Sequence, residues 1–453
     1  MAQHFQNAYD VAVVGAGPVG SAAALAFADR GERVLLLEAN PKASHRFAGE
    51  WMHPPSVDLL RRLGVQRVSD DQVFSSTKGF VVFPDDGGEP IPLPYESGQS
   101  GLAGEHCELV AAVRDAATDH AGVEFAPRCR VQRIEGTRLK FADVDADAIY
   151  EVTAERIIGA DGRASMARKS LGLSGSGRHM SYMGGVVLTD VELPFEGYGH
   201  VFVGPPGPVL AYRISSNAVR VTIDLPTSVA QLRKNPRQLA SEVAPWLPPL
   251  LDQALRRTLQ EATVVWMGTR FRPRCDYGAG PVALVGDAVG HFHPLTAAGM
   301  TMGFMDVDCL VSADSVRQYQ RLREARSYVP ELLSNALYEL FTRSDEATVA
   351  MRRAVYRSWR ESPRQRQRLM RMLTGADTSK AHFTSTVIRI GLGASMDLAA
   401  STISSPASGM ILRNLRSLAG WGRWPMASAL PTSHRGALRT SDWPATSSRE
   451  LEV

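Results

Sequence analysis

One stretch constrains this chain more than any other: Tyr9-Asp10-Val11-Ala12-Val13-Val14-Gly15-Ala16-Gly17-Pro18-Val19-Gly20, running on to Glu38. Val11 to Val14 is an unbroken apolar run, the pattern of a parallel strand buried on both faces. It breaks into Gly15-x-Gly17-x-x-Gly20, then into a small-residue helix from about Ser21 to Arg30, which Gly31 ends. Arg33 to Leu37 form a second strand closing on Glu38. Each part has a mechanical reason. Gly15 permits the tight turn, Gly17 lets a pyrophosphate approach the backbone, and Gly20 lets the helix lie close to the strand. The helix N-terminus adds free N–H groups and a positive dipole end. Glu38, about 20 residues on, is placed to take the hydroxyls of an adenosine ribose. A lone Gly-x-Gly-x-x-Gly is weak evidence, but strand, turn, helix, second strand and acid all stand here at the right spacing. The acid argues against a 2′-phosphate, so FAD or NAD fits better than NADP, and this stretch does not choose between them.

With 453 residues the chain has room for two or three domains. At 44% hydrophobic and 21% charged it is globular rather than disordered. No dense basic stretch interleaved with aromatics appears, which argues against nucleic acid as a partner. Cys107, Cys129, Cys275 and Cys309 lie scattered, without a C-x-x-C pair, which fits a reducing compartment and excludes a Cys-rich zinc site. Met1 to Ala8 leaves no space for a leader, so a cytoplasmic location is expected. The uncharged run from Val11 to Ala28 is broken by Gly15, Gly17, Pro18 and Gly20 and reads as strand plus helix, not as a membrane span.

Further along, Ser56 to Leu63 reads as a helix capped by Ser56 and ended by Gly64. Phe80 to Phe83 leads into a hairpin-like turn at Pro84 to Gly88, Leu109 to His120 has helical spacing, and the Val123 and Val131 segments look like strands. Ile157 to Arg168 is a strand, a Gly159-Ala160-Asp161-Gly162 turn and a helix start. From Gly184 to Leu225, β-type segments alternate with Gly/Pro turns, the pattern of a second, mostly antiparallel sheet suited to a pocket wall. Leu232 to Leu259 is helical but broken by prolines, and Val282 to Ala288 returns to a buried strand ending in Gly286-Asp287. Beyond Phe304 the chain turns helical, with an arginine run from Arg352 to Arg371 and a low-charge segment from Ala381 to Trp424. Arg389, Asp397 and Arg413 interrupt that segment, so it contains no membrane span. His291 and His293, two apart with no third ligand nearby, make a poor metal site, and no metal is expected.

Three segments, Arg46 to Glu50, Gly159 to Arg168 and Gly286 to Thr301, carry a resemblance. The chain resembles the FAD-dependent monooxygenases of the single-component aromatic hydroxylase superfamily, and most closely their squalene epoxidase branch. The superfamily order is an early Gly-x-Gly-x-x-Gly, a mid-chain Asp161-Gly162 turn and a late Gly286-Asp287 before a Pro-rich loop. The narrower likeness lies in Arg46-x-x-Gly49-Glu50, in His293-Pro294-Leu295-Thr296-x-x-Gly299-Met300-Thr301 with Asp306, and in Ala336-Leu337-Tyr338-x-Leu340-Phe341 followed by Asp345-Glu346. It implies an α/β fold: an FAD-binding Rossmann-like βαβ domain, an inserted, mostly antiparallel β-sheet substrate domain and a C-terminal helical region. The expected divisions are 1–75, 101–175 and 265–315 for FAD binding, 76–100 and 176–264 for substrate, 316–424 for the helical region, and 425–453 for a disordered tail.

By the same resemblance, Gly15, Gly17, Pro18, Gly20, Glu38, Ala39, Arg46, Glu50, Asp161, Gly162, Gly286, Asp287, Pro294, Gly299 and Met300 hold FAD. Relatives carry an Arg or Gln near the flavin on a helix whose counterpart here reads Glu105-His106-Cys107-Glu108. The implied reaction passes through a flavin C4a-hydroperoxide and transfers one oxygen atom to a double bond of a lipophilic isoprenoid or prenylated substrate, yielding an epoxide. It needs no nucleophile or general base from the protein, so no catalytic side chain is nominated. O2 is the co-substrate. No second Gly-x-Gly-x-x-Gly occurs, so NAD(P)H docks transiently or a separate reductase delivers the electrons. The C-terminal helices and the arginine run are candidates for peripheral membrane contact, with packed helices and a solvated basic face as the plainer account. Alternatives are a hydroxylase of aromatic or polyketide rings, an FAD-dependent isoprenoid reductase, and a non-catalytic flavin or lipid carrier. A halogenase lacks its Trp-x-Trp-x-Ile-Pro stretch here. Arginine-heavy composition leans toward a bacterial source and secondary metabolism.

Overall fold

The computed structural model describes residues 5–42, 47–146, 148–173, 177–261 and 264–403. The expected disordered tail at 425–453 and the site residue Arg46 lie outside them. In chain order, β1 (Ala8–Val14), α1 (Pro18–Ala28) and β2 (Val34–Glu38) form the opening βαβ unit. Next come β3 (Trp51–Met52), α2 (Pro54–Arg62), β4 (Ser75–Thr77), β5 (Gly79–Phe83), β6 (Ile91–Pro94), β7 (Gly101–Ala103) and α3 (His106–Thr118). They are followed by β8 (Val123–Pro127), β9 (Cys129–Glu135), β10 (Arg138–Asp143), β11 (Ala148–Gly159) and α4 (Met166–Ser170).

A second group comprises β12 (Arg178–Thr189), β13 (Tyr198–Phe202), β14 (Val209–Arg213), β15 (Ala218–Pro226), α5 (Pro236–Val243), α6 (Pro249–Glu261) and β16 (Val265–Phe271). The chain then returns through β17 (Gly278–Ala279) and β18 (Val282–Leu284) to α7 (Ala298–Val311). The remaining helices are α8 (Val316–Thr342), α9 (Glu346–Glu361), α10 (Pro363–Thr374) and α11 (Lys380–Ile403).

The first sheet runs β17-β18-β11-β1-β2-β8, with β9 and β10 continuing as a hairpin from β11. Strands β18, β11, β1, β2 and β8 are parallel neighbours, with Val14 opposite both Leu37 and Gly159. They are buried on both faces, as their apolar runs require: Val11, Ala12, Val13, Leu35 and Leu36 are solvent-free. Each such Val or Leu contributes roughly 1.5–3 kcal/mol of burial. The alanines of α1 let it lie flat on β1 and β2, with α3 and α7 packed beside it.

The second sheet, β16-β12-β15-β14-β13-β5-β6, is antiparallel except at the β13–β5 pair. Its last strand in sequence, β16, falls in the range expected for the FAD-binding part but pairs with β12. A three-stranded sheet, β3-β7-β4, lies apart from both. Helices α8 to α11 close an apolar cluster that extends through Leu295, Ala298 and Met302 to Trp51, Phe80 and Leu93. No helix among the described residues is long and apolar enough to cross a membrane.

Two local readings change. Helix α2 begins at Pro54 with His53 as its N-cap, not at Ser56. The prolines occupy the first turn, where a missing N–H costs nothing, and Ser56 instead donates its Oγ–H to the His53 carbonyl at 2.7 Å. Helix α1 starts at Pro18, directly after Gly17, so its first turn belongs to the glycine loop.

Candidate active site

Four separated segments meet because four adjacent parallel strands end at one edge of the first sheet. The Gly15 loop follows β1, Glu38 ends β2, Asp161-Gly162 follow β11 and Gly286-Asp287 follow β18. Ligands of open α/β sheets bind outside the carboxyl ends of the strands. Backbone hydrogen bonds lock these turns together, from Gly15 N to Leu37 O at 2.8 Å, Ala160 N to Val14 O at 2.8 Å and Val285 N to Gly159 O at 3.0 Å.

The glycines have the expected mechanical roles. Gly15 has φ +101°, and a Cβ there would meet the Ala160 carbonyl at 2.7 Å. A Cβ on Gly20 would lie 1.8 Å from the Gly15 carbonyl oxygen. Gly17 differs: its added Cβ would touch nothing within 4 Å, so the space over it is open. The same holds for Gly162, with φ +73°, and for Gly299 in the first turn of α7. Two helix N-termini, those of α1 and α7, thus open onto free space. Their first N–H groups have no partner inside the helix and point toward anions or electron-rich groups.

Glu38 Oε2 accepts the Ala16 N–H at 2.9 Å and Oε1 the Asn40 N–H at 2.7 Å, fixing the acid beside the loop, with Ala39 at the strand end. Arg114, on α3, clamps the same loop from the other side, its Nε and Nη2 donating to the Ala16 carbonyl at 3.0 and 2.8 Å. Glu105 to Glu108 supply no arginine, and the arginine of this helix that reaches the glycine loop is Arg114. It lies two turns further on, and one Arg in an amphipathic helix carries no signal of its own. His106, at the start of α3, bonds the Gly49 carbonyl through Nδ1 at 2.8 Å.

Asp161 accepts the N–H groups of Met166 at 2.5 Å and Ala167 at 3.1 Å through Oδ2, holding α4, while its buried Oδ1 is left without a partner. Glu50 is buried at 4% exposure, and its partner is Arg220 of β15 rather than a surface neighbour. Arg220 donates to it bidentately at 2.8 and 2.6 Å, and Tyr212 of β14 adds an O–H bond at 3.0 Å. Burial pushes the Glu50 carboxyl up, more than Arg220 and Tyr212 pull it down. Burial likewise works against the Arg220 charge, but Glu50 outweighs it and the guanidinium is held more firmly protonated. The two directions oppose each other, and the bidentate geometry supports an ionised pair. Met300 lies against Gly49, where an added Cβ would be 3.3 Å from its side chain, so the Gly49-Glu50 segment joins the start of α7.

Gly286 is fixed from below by charges that sequence reading did not assemble. Asp306 of α7 accepts the Gly286 N–H at 2.8 Å and pairs with both Arg274 and Arg323, all three side chains being buried. Arg274 also donates to the Gly286 and Gly290 carbonyls at 2.9 Å each. In the Pro294 loop, Ala297 takes a left-handed φ of 52° to turn into α7. His293 accepts the Leu295 N–H on Nδ1 at 3.2 Å, so Nε2 carries the proton and donates to Asp224 at 3.1 Å. Ser181 Oγ sits at the same nitrogen, 2.9 Å away. A Ser–His–Asp relay needs serine and acid on opposite nitrogens, so this cluster ties the second sheet to the loop instead. On the other side of the loop, His53 Nε2 faces the Thr296 carbonyl at 2.9 Å and Nδ1 faces the Tyr95 hydroxyl at 2.7 Å. A carbonyl only accepts, so Nε2 bears the hydrogen.

The open cradles over Gly17 and Gly299, the acid at the end of β2 and the unpartnered Asp161 oxygen fit a bound dinucleotide. Comparison with known proteins agrees. The squalene epoxidase family model matches residues 153–408, and an FAD dependent oxidoreductase model matches residues 10–70. The squalene monooxygenase of Eremothecium gossypii is 30% identical over 390 residues, covering 74% of this chain and 77% of its own. That of Mus musculus is 26% identical over 372 residues, covering 77% of this chain but only 64% of the mouse protein, under two thirds of its length.

Among solved structures, the flavin-dependent brominase Bmp2 superposes with TM-score 0.69 at 15% identity, covering 86% of this chain and all of that one. The p-nitrophenol 4-monooxygenase PnpA of Pseudomonas putida gives 0.65 at 17% identity, covering 82% and 99%. At such identities these two speak for the fold alone. The family model spans more than half of the chain and includes both late motifs and the C-terminal helices, and on that ground the chain belongs to the squalene epoxidase family.

Proposed function

We propose that this chain is an FAD-dependent monooxygenase that adds one atom of O2 across a double bond of a lipophilic isoprenoid or prenylated substrate. The observation that carries the reading is the family match over the Gly286 to Thr301 loop together with an apolar wall that begins in that loop. The wall runs from Leu295, Ala298 and Met302 into a cavity of about 80 Å³ between α8, α9, α10 and α11, lined by Leu337, Leu340, Val355, Trp359, Phe383 and Val387. An apolar wall with few polar groups suits a hydrocarbon, and the cavity, well below the roughly 300–1,000 Å³ of a ligand pocket, would have to widen to take an isoprenoid.

Under this reading the glycine loop, Glu38 and Arg114 hold the adenosine end, and Asp287 takes a ribityl hydroxyl. With FAD bound, the α7 N-terminus at Gly299-Met300 would stabilise the negative charge that the flavin gains on reduction. When bound and reduced, FAD supplies the activation of O2, one oxygen atom going to the alkene and the other leaving as water. The protein contributes position, dryness and charge stabilisation, and no side chain acts as nucleophile.

The exposed row Ile388, Leu392 and Met396 on α11 is the face that would meet a bilayer carrying such a substrate. The test is product mass spectrometry under ¹⁸O₂ with the FAD-loaded protein, a flavin reductase, NAD(P)H and candidate isoprenoids and prenylated aromatics in anionic vesicles. One ¹⁸O in an epoxide is the expected result. One ¹⁸O in a phenol would establish the ring-hydroxylase alternative, and a gain of two hydrogens without label would establish a reductase.

A further inference from the structure

Helix α10 carries an arginine stripe that the reading above leaves without a role. Arg364, Arg368 and Arg371 stand at i, i+4 and i+7, on one face of the helix. Beside them the chain turns from α10 into α11 through Ala376 to Ser379, and the space between forms a solvent-open groove of about 540 Å³ that His382 completes. Arg371 donates to Glu96 at 3.1 Å, and His382 meets Asp377 at 2.7 Å. Asp377, the acid in the groove wall, also accepts the Ser379 N–H at 2.9 Å. Arg364 and Arg368 have neither an acid nor a hydrogen-bond partner among the described residues.

Two like charges one helical turn apart repel, so an anion between them relieves that repulsion as well as forming bonds. The adjoining face of the same helix is apolar. Arg364, Arg368, Arg371 and His382 line the groove, while their sequence neighbours Gln365, Leu369, Met372 and Phe383 line the cavity between α8 and α11. Successive residues of a helix point about 100° apart, so the two spaces adjoin along the seam of α10 and α11. The far end of α10 reaches the cofactor side. A Cβ on Gly375, just before Ala376 of the groove, would lie 2.9 Å from Met302 and 3.2 Å from Met305 of α7. Charge on one side of the seam and hydrocarbon on the other is the division found in an amphiphile.

We propose that the groove holds the anionic head, a carboxylate or a phosphate ester, of an amphiphilic isoprenoid whose chain enters the apolar cavity and runs toward α7. The inference rests on the monooxygenase reading and narrows it: the substrate is a prenylated acid rather than a bare hydrocarbon. A guanidinium takes either oxyanion through two parallel N–H bonds, and Arg364 and Arg368 offer two such forks. Each pair is open to water and adds little affinity by itself. The apolar chain supplies most of the binding, and the arginines decide which end enters and which double bond reaches the flavin. A neutral hydrocarbon makes no contact here that would fix it end to end.

The experiment uses the FAD-loaded full chain. Without reductant, calorimetry in neutral detergent measures binding of geranylgeranyl phosphate, geranylgeranoic acid, geranylgeraniol and inorganic phosphate, and sedimentation measures binding to anionic vesicles. With reductant under ¹⁸O₂, KM and the position of the labelled epoxide are read for the three isoprenoids. Wild type is compared with Arg364→Gln/Arg368→Gln and with Arg317→Gln/Arg321→Gln on α8, which removes two charges elsewhere. None of the four side chains is buried, so both variants fold. The expected result is that the acid and the phosphate bind wild type at least about fivefold more tightly than the alcohol. The Arg364/Arg368 variant loses that advantage in binding and in KM and spreads the label over several double bonds, and the α8 variant keeps both the advantage and the single position.

Equal binding of the alcohol and the two acids to wild type would overturn the proposal, as would an equal loss in the α8 variant, which would mean a general effect of charge. Inorganic phosphate that binds without displacing the isoprenoid phosphate would make the groove a site for free phosphate and would also overturn it. So would a loss of vesicle binding in the Arg364/Arg368 variant with isoprenoid affinities unchanged, since the groove would then serve a bilayer headgroup. Arginine-dependent binding of both acids with no ¹⁸O in any product would support the head site and bring down the monooxygenase reading instead, so the two failures are told apart.

Discussion

His53 shows what one residue can do when tertiary packing removes water from it. It is fully buried, donating to the Thr296 carbonyl and accepting from Tyr95, and its backbone N–H donates to Thr301 Oγ1 at 3.1 Å. Burial lowers its pKa from 6.5 to about 4. Above pH 6.5 the ring is neutral in both folded and unfolded chains and has no effect on pH dependence. Between 6.5 and 4 the unfolded chain takes a proton that the folded one refuses, so stability falls as pH falls. Relative to a His53→Gln variant, wild-type unfolding free energy should drop by about 1.4 kcal/mol per pH unit across that window, read from urea melts at each pH. Parallel slopes for the two proteins would show that His53 titrates as in water. In the sequence this residue was only part of a His-Pro-Pro string. Nothing local could mark it, because its burial depends on Thr296 and Tyr95, brought from distant positions.

At the scale of the element, the glycine loop and the first turn of α1 separate folding from binding. Gly20→Ala places a methyl 1.8 Å from the Gly15 carbonyl oxygen, so α1 must move off the loop, and a loss of stability of several kcal/mol is expected along with loss of FAD. Gly17→Ala meets nothing within 4 Å and sits at φ −71°, which any residue adopts. Its melting temperature should stay within a few degrees of wild type while FAD retention on gel filtration falls at least about tenfold, because the methyl occupies the space left for phosphate. Full FAD content in Gly17→Ala would sink this account of the loop. Elements of this kind were legible because their causes are local: an apolar run, a turn needing positive φ, alanines at helical spacing. Helix α2 was misplaced by two residues for a local reason as well, since His53 took the cap that Ser56 offered and the prolines filled the first turn.

Across the whole molecule, charge ties the segment before β3 to the second sheet. Glu50, from the segment before α2, is held by Arg220 and Tyr212 of the second sheet, with Phe47 over the Arg220 guanidinium at 5.3 Å. Arg220→Met removes the partner of a carboxylate that is 4% exposed and should cost about 3–5 kcal/mol in urea unfolding, whereas the Glu50→Gln/Arg220→Met double variant should recover most of that loss. A single variant as stable as wild type would mean that this segment is held to the second sheet by apolar packing alone. By itself the sequence determined the opening βαβ unit, the order of the later Asp-Gly and Gly-Asp turns, the antiparallel middle sheet and the helical end, because hydrophobic period, glycine backbone freedom and turn chemistry act over a few residues. Only the tertiary structure decided which side chains meet: Arg114 on the glycine loop, Arg220 on Glu50, and Arg274 and Arg323 on Asp306. Those contacts depend on parallel strands β18, β11, β1 and β2 ending at one edge, and on how the second sheet packs against it. A single arginine in a helix or strand looks the same in sequence whether it faces water or a buried acid, and only the long-range fold sets that difference.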